Sequence, residues 1–218
     1  QPIDVPGDRD FALGALKRGF AALCLEQRSF GERAERAQKS VAKNSKCHDA
    51  AAHAMMLGRT LIGERVWDVD RAIDYLETRP EIDRSRLGVM GNSGGGTTSL
   101  FAAAMLERLR FAMPSCYFCS FRASIMSLYH CICNYVPGLF QVAEMADVLG
   151  LFSPRPVVVV AGLEDNIFPI EAARSEFERL KEIYAAAGAA DKCRLVVGPE
   201  GHRFYADLAW PQLIGLLA

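Results

Sequence analysis

A serine flanked by glycines is the residue of this chain best suited to act as a nucleophile. Residues 91–95 read Gly-Asn-Ser-Gly-Gly, with Ser93 at the centre. A serine nucleophile at the edge of a sheet needs a tight, strained turn between a strand and a helix, and small residues two positions away let the backbones pass. The turn also aims the N–H of Gly94 at a developing oxyanion, beside the positive end of the helix. We therefore predict a nucleophile at Ser93 and an oxyanion donor at Gly94.

A phosphate-binding loop is the competing interpretation of this glycine-rich segment. The nucleotide-binding P-loop ends in a lysine followed by serine or threonine, which contact the phosphates and a metal ion. Here Gly96 is followed by two threonines and a serine, without a lysine. The strand-turn-helix context therefore favours the nucleophile.

An acid and a histidine follow Ser93 in the order serine, acid, histidine, which one known arrangement of catalytic triads uses. Asp165 comes directly after the apolar run at residues 157–161, and its neighbour Glu164 is the alternative acid. His202 follows the apolar run at residues 194–197. Of the four histidines, only His202 lies downstream of both carboxylates. We expect Ser93, Asp165 and His202 to form a triad.

These three residue types together perform nucleophilic catalysis. A serine hydroxyl attacks well only when a neutral imidazole takes its proton during attack. His202 would be that base and would later protonate the leaving alcohol, while Asp165 would hold the tautomer and stabilise the imidazolium. The chemistry expected is acyl transfer through an acyl-enzyme.

Strands and helices that alternate along the chain must position these residues. The pattern of apolar residues predicts strands at residues 20–25, 86–90, 111–113, 157–161 and 194–197. It predicts helices at residues 8–18, 67–77, 97–109, 171–187 and 208–217, and a loop followed by a helix within 34–60. Such alternation gives βαβ units and a parallel sheet. Without an internal repeat or a low-complexity linker, we expect one α/β domain over residues 1–218, with a small cap at 115–150.

The residues described so far resemble a known family. Residues 68–76, 79–83 and 86–95, with the segments around Asp165 and His202, are similar to the later part of bacterial α/β-hydrolases of the dienelactone hydrolase and acetyl xylan esterase-like group. The resemblance implies a mostly parallel sheet with helices on both faces, and hydrolysis of small acyl esters, often acetyl groups on sugars. Dienelactone hydrolases use a cysteine nucleophile, so Ser93 indicates ordinary ester hydrolysis. No cofactor is expected.

The resemblance also suggests where a substrate binds. Arg28 lies in a segment where sugar-deacetylating relatives carry an Arg-Gly-Gln run, so it is a candidate substrate contact; a salt bridge is the alternative. Asn92 adjoins the nucleophile. Tyr117 and Phe118 belong to the aromatic, cysteine-rich segment at 115–150, which we expect to line an acyl or alcohol pocket.

One part of the family's fold is not visible in the sequence. In that fold the first strands, and the loop that gives the second oxyanion donor, precede the helix predicted at residues 8–18. We therefore expect either that the chain is a fragment of a longer protein or that another segment or a partner chain completes the sheet. A homo-oligomer is the simplest form of the second arrangement.

Cysteines and histidines suggest a weaker alternative. Cys116 and Cys119, with residues 130–133 (His-Cys-Ile-Cys), offer ligands of the kind that zinc prefers. The second cysteine pair has one intervening residue instead of two, and buried cysteines also serve as small apolar residues. We therefore expect no metal at the site. His48 and His53 are expected at a surface or core edge. Cys24 is expected to be buried and inert, and both tryptophans are expected to be core or helix-packing residues.

Charge and composition exclude several classes of protein. Lysine plus arginine total 25 against 26 acidic residues, so no basic field attracts nucleic acid or anionic lipid. No apolar stretch reaches the ~18 residues of a membrane span. The first ten residues do not resemble a signal peptide, and seven cysteines match no small disulfide framework. We expect a cytoplasmic protein that acts on a small-molecule ester.

Two other functions remain open on the sequence alone. A peptidase or amidase would use the same triad. A non-catalytic α/β module that binds zinc through its cysteine-rich segment belongs to a different class. Labelling of Ser93 by a serine-directed probe separates the esterase and the peptidase or amidase from the non-catalytic module.

Overall fold

A four-stranded sheet lies at the centre of the part of the chain that the computed structural model describes, residues 10–34 and 47–218. All neighbouring strands are parallel, in the order β1-β2-β3-β4. The strands are β1 (Gly88–Asn92), β2 (Phe111–Ser115), β3 (Val157–Gly162) and β4 (Cys193–Gly198). Because the strands are parallel, all four carboxyl ends lie at one edge of the sheet.

Helices connect and cover the strands. They are α1 (Phe11–Leu16), α2 (His48–Met56), α3 (Leu61–Glu77), α4 (Gly94–Met105), α5 (Met145–Gly150), α6 (Ile170–Ala186) and α7 (Ala206–Leu217). The helix predicted within residues 34–60 is α2, while residues 35–46 lie outside the described residues. None of the described helices is both long and apolar enough to cross a membrane.

Strand β3 shows why helices are needed on both faces of the sheet. Its side chains alternate between two apolar clusters: Val157 and Val159 pack on the side of α3 to α6, and Val158 and Val160 pack on the side of α1 and α7. Every residue of β3 is buried. Burial on both faces explains why the run is almost entirely β-branched and apolar. The predicted α/β class with a mostly parallel sheet is confirmed.

The strand predicted at residues 20–25 is wrong. Within the described residues this segment pairs with no strand, and Ala21 to Leu25 are exposed. Strand β1 therefore has one unpaired edge in the described part of the chain. An apolar run forms a ladder only when a neighbouring strand supplies hydrogen bonds, and none of the four described strands pairs with this run. Cys24, expected in that buried strand, is consequently exposed.

The two tryptophans differ in their environments. Trp210 in α7 is 1% exposed and packs in the core, as predicted. Trp67 in α3 is 54% exposed, so of the two predicted alternatives the core position is ruled out for this residue. The Trp67 ring instead lies 4.3 Å from the guanidinium carbon of Arg71, a cation–π contact on the helix surface.

Residues 115–150 contribute to the main core as well as to the surface. Tyr117 and Phe118 directly follow β2 and are fully buried. Helix α5 packs Met145 and Leu149 into the same apolar cluster as α3, α4 and α6. Tyr129, in contrast, is 80% exposed. Both ends of the segment therefore contribute side chains to the main apolar core.

Candidate active site

Ser93 occupies a strained turn between β1 and α4. Its backbone has φ 55° and ψ −117°, in the region that residues with a side chain rarely adopt. The Ser93 amide donates to Ser115 O at 2.9 Å, and the Thr97 amide donates to Ser93 O at 2.8 Å. These bonds hold the serine at the carboxyl end of β1 and the first turn of α4. The strained strand-turn-helix conformation expected of a nucleophile is present.

Gly91 shows why the turn needs small residues. A Cβ atom at this position would lie 2.6 Å from the carbonyl carbon of Gly95 and 2.7 Å from its oxygen. Any side chain would force the strand and the helix apart, and Ser93 with them. The glycine two residues before the serine is therefore a requirement of the backbone path.

A cavity of about 440 Å³ opens beside the serine. Its lining consists of Leu25, Gln27, Phe30, Ser93, Gly94 and Gly95. The Gln27 amide oxygen accepts a hydrogen bond from Thr98 Oγ1 at 3.1 Å. That bond orients the Gln27 side chain at the start of α4. The cavity combines an apolar wall with polar groups around the serine, as small-molecule sites commonly do.

Asp165 and His202 lie on neighbouring strand ends and are hydrogen-bonded. His202 Nδ1 lies 2.8 Å from Asp165 Oδ2. The other carboxylate oxygen of Asp165 accepts from the amides of Ile167 at 2.9 Å and Phe168 at 3.2 Å. Burial acts to raise the pKa of Asp165, but the hydrogen bonds from His202 and the two amides hold that pKa below its ordinary value. The carboxylate is therefore ionised and fixed in orientation.

The His202 ring keeps one nitrogen unengaged. Nε2 is buried and has no hydrogen-bond partner among the described residues. The ring stacks on Phe168, with centroids 5.8 Å apart and planes at 21°. With Nδ1 as the donor to Asp165, Nε2 presents a lone pair that can accept a proton. This arrangement is the one that a general base requires.

Cys116 links the serine turn to the Asp165–His202 pair. It follows Ser115, whose carbonyl oxygen accepts a hydrogen bond from the Ser93 amide. The Cys116 Sγ, a carboxylate oxygen of Asp165 and a ring nitrogen of His202 lie within 4.8 Å of one another. The same Sγ donates to Arg203 O at 3.2 Å. Burial raises the pKa of Cys116 to about 12, so the group is a neutral thiol. The three atoms could ligate a metal ion, but two of them belong to the hydrogen-bonded pair already described.

The structure places the alternative acid and the sequence-predicted arginine away from this centre. Glu164 is exposed, whereas Asp165 is buried against His202. Arg28 forms ion pairs with Glu64 and Asp68, the latter at 2.8 Å from Nε. The hydrogen bond to Asp68 raises the pKa of Arg28. The salt-bridge interpretation thus matches the geometry, and Arg28 lines a separate cavity with His53, Ala54 and Leu57.

The other predicted substrate contacts are also set back from the cavity. Asn92 Oδ1 accepts from Ser115 Oγ at 2.7 Å, behind the serine turn. Tyr117 and Phe118 are core residues, with the Tyr117 ring 5.4 Å from that of Phe168. Burial raises the pKa of Tyr117. An aromatic pocket at these two positions is not what the structure shows, because the chain after β2 turns inward under α4.

Several residues of the site were missed in the sequence. Leu25 and Phe30 line the cavity from the segment that was predicted to be a strand and its following turn, and Phe168 supports the His202 ring. Gln27 is the neighbour of Arg28, and its place in the cavity wall is not predicted by the sequence. No local pattern marks them, since each reaches the site through long-range packing.

The sequence matches a family model described as "Glucuronyl esterase, fungi" over residues 18–117. That part contains Ser93 and Gly94 and ends before Asp165. The provisionally named hydrolase YtaP of Bacillus subtilis (strain 168) is 26% identical over 187 residues, which are 84% of this chain and 60% of YtaP.

Solved structures show the same fold. A provisionally named acetyl xylan esterase from Bacteroides fragilis NCTC 9343 has a TM-score of 0.70 at 16% identity, covering 86% of this chain and 49% of that one. A family 15 glucuronoyl esterase from Caldicellulosiruptor kristjansonii has a TM-score of 0.59 at 20% identity, covering 76% and 52%. The chain thus spans about half the length of these structures. Its fold is that of these esterase structures, and its sequence is similar to a protein named as a hydrolase and to a glucuronyl esterase family model.

Proposed function

We propose that this chain carries the catalytic centre of a serine carboxylic ester hydrolase. The observation that supports it best is the His202–Asp165 pair, in which Nδ1 is bonded to a buried carboxylate and Nε2 has no partner among the described residues. A serine in a strained turn at the same sheet edge supplies the nucleophile. The three residues follow one another in the order serine, acid, histidine, which is the order found in α/β-hydrolases.

The chemistry follows from these positions. His202 Nε2 accepts the proton of Ser93 Oγ as the hydroxyl attacks the ester carbonyl, and the imidazolium is stabilised by Asp165. His202 then gives that proton to the leaving alcohol, and an acyl group remains on Ser93. Water, deprotonated by the same nitrogen, attacks the acyl-enzyme and releases the acid. Each proton moves between Nε2 and an oxygen, and Asp165 stays ionised.

Gly94 supplies one oxyanion donor in this proposal. It is the first residue of α4, so its N–H has no partner one turn earlier in the helix. The N-terminus of the helix adds a partial positive charge at the same position. Together they favour the tetrahedral intermediate over the planar ester. The chain's own contribution to the oxyanion site is thus the start of α4.

The substrate class is an ester of a carbohydrate. An acetylated sugar is our first candidate, in keeping with the likeness to acetyl xylan esterase. The match to the glucuronyl esterase model favours a second candidate, an ester whose acid is a glucuronic acid. The two differ in which side of the ester carries the sugar. Comparing kcat/KM for an acetylated xylose and for the methyl ester of glucuronic acid distinguishes them.

A fluorophosphonate probe and p-nitrophenyl acetate test the activity itself. We expect the wild-type chain to be labelled once and to release p-nitrophenol, and Ser93→Ala to do neither. Ser85→Ala, which changes an exposed serine outside the site, is the matched control and should behave as wild type. Unlabelled wild type, or equal labelling of Ser93→Ala, would refute the proposal. An amide substrate turned over faster than the matching ester would assign a peptidase or amidase instead.

A further inference from the structure

Three thiols meet outside the catalytic centre. Cys47 lies directly before α2, and Cys131 and Cys133 lie at the start of a short 3₁₀ turn at Ile132–Asn134. The sulfur atoms of all three lie within 4.8 Å of one another, and those of Cys131 and Cys133 are 3.1 Å apart. Cys47 is 2% and Cys133 4% exposed. Cys47 therefore has its sulfur close to those of two cysteines more than 80 positions later in the chain.

A buried guanidinium points into the same cluster. Arg65 of α3 is 1% exposed, and its Nη2 donates to Cys47 Sγ at 3.2 Å and to Arg28 O at 3.0 Å. Its Nε and Nη1 are buried without a hydrogen-bond partner among the described residues, and the Phe30 ring lies 5.2 Å from its central carbon. A buried cation with unused donors is costly unless negative charge lies beside it. Neutral thiols carry no net negative charge to place beside the Arg65 guanidinium, whereas metal-bound thiolates do.

We propose that Cys47, Cys131 and Cys133 form a binding site for a thiophilic metal ion, zinc being the ion that it fits. Zinc binds thiolates at about 2.3 Å in tetrahedral geometry, which places sulfurs roughly 3.8 Å apart. All three sulfurs lie within 4.8 Å of one another, and the Cys131–Cys133 pair at 3.1 Å would have to open by less than about 1 Å to reach that separation. The site differs from the one considered on the sequence, because Cys116 and Cys119 take no part. The part-exposed Cys131 leaves a side from which water can supply the fourth ligand.

Charge balance supports zinc over a monovalent ion. Binding releases three protons, one from each thiol, and three thiolates around a dication carry a net charge of −1. The Arg65 guanidinium neutralises that charge. A monovalent ion would leave the buried site one unit negative. A disulfide would use two of the sulfurs, would form no charge, and would leave the guanidinium donors unused.

The site would hold two segments that reach the catalytic centre. Asn134, next to Cys133, accepts a hydrogen bond from Thr97 Oγ1 at 3.0 Å, within the first turns of α4. Arg65 holds the carbonyl of Arg28, whose neighbour Gln27 lines the cavity beside Ser93. A metal ion at the cluster therefore has a structural role, tying α2, α3 and the 3₁₀ turn together below the cavity.

Metal analysis of the full chain tests this site. After purification under reducing conditions with zinc and removal of excess metal, we expect about one zinc per chain. Replacement by Co²⁺ should give the intense near-ultraviolet sulfur-to-cobalt charge-transfer band. Cys47→Ser and Cys133→Ser should lose the bound metal and the band. Cys193→Ser, a buried cysteine elsewhere, and Cys116→Ala, beside the Asp165–His202 pair, should keep both.

Three results would overturn the proposal. Folded wild type without bound zinc and without the cobalt band excludes the site, whatever the variants do. Loss of the metal in Cys116→Ala alone would locate it at the catalytic centre. An intact mass lower by two hydrogens, with Cys133 linked to Cys47 or Cys131, would identify a disulfide instead. If the two serine variants fail to fold, the wild-type cobalt spectrum still decides.

Discussion

His202 Nδ1 lies 2.8 Å from Asp165 Oδ2, and the opposite ring nitrogen of His202 is buried without a partner among the described residues. Nδ1 of the histidine is thus hydrogen-bonded to Asp165, and Nε2 is left to accept a proton. Asp165 in turn is fixed by two backbone amides from residues 167 and 168. The orientation of the His202 ring is therefore set by a carboxylate that is itself held by two backbone amides.

Replacing that carboxylate should remove most of the activity and keep the fold. In Asp165→Asn the side-chain amide can donate to His202 and favour the wrong tautomer, so we expect kcat on p-nitrophenyl acetate to fall by about 10³- to 10⁴-fold. Glu164→Gln is the matched control, because this neighbouring carboxylate is exposed, and should stay within about twofold of wild type. The opposite ranking of the two variants would make Glu164 the acid.

The stability of the protein should depend on pH through Asp165. Its pKa in the folded chain is below the ordinary unfolded value of about 3.9. A lowered pKa means that the stabilisation is fully present above the unfolded pKa and is lost as pH falls through the folded pKa. As pH falls below about 5, wild type should therefore lose free energy of unfolding relative to Asp165→Asn. Urea unfolding over an acid series measures this, and a constant difference would contradict it.

The strain at Ser93 predicts a gain in stability from glycine. At φ 55° a glycine has no Cβ to clash with the backbone, whereas alanine does. The free energy of unfolding of Ser93→Gly should therefore exceed that of Ser93→Ala by about 1 kcal/mol. The serine side chain makes no helix-capping hydrogen bond, so both variants lose the same hydroxyl and no cap. Both should be inactive. Equal free energies of unfolding in urea would show that the turn stores no strain.

Sequence patterns predicted the elements whose burial is decided locally. The run at β3 is β-branched and apolar on both faces, and α3 and α6 carry amphipathic stripes, so their existence could be predicted. The apolar run at 20–25 misled because its burial depends on a neighbouring strand and not on its own residues. Phe168 and Gln27 reach the site through tertiary contacts that no spacing encodes. The chain order of the motifs predicted the triad candidates, whereas the residues that line the cavity and support His202 depend on three-dimensional packing.

The cysteines should differ in their reactivity towards iodoacetamide. Cys24 is exposed, whereas burial raises the pKa values of Cys116 and Cys119 to about 12. The thiolate is the reactive form, so at about pH 8 only a negligible fraction of these two buried groups can react. We expect Cys24 to be alkylated first, as peptide mass mapping over time would show. Equal rates would mean that residues 20–25 are buried after all.

The close approach of β3 to the loop that carries His202 provides the last prediction. A Cβ atom at Gly162 would lie 2.1 Å from Gly201 O and 2.6 Å from Glu200 O, both backbone atoms just before His202. Gly162→Ala should therefore lower the free energy of unfolding by about 1–3 kcal/mol and reduce kcat by displacing the base.

Gly215→Ala in α7 is the control for that variant, since among the described residues no atom outside the neighbouring turns of its own helix lies within 4 Å of the added Cβ. Alanine is the better helix former, so this change should stabilise the chain by about 0.5–1 kcal/mol and leave kcat unaltered. Chemical denaturation and p-nitrophenyl acetate kinetics on the two variants provide the comparison. A Gly162→Ala variant with unchanged stability and unchanged kcat would contradict the prediction. It would mean that the close packing of these two backbones does not position His202.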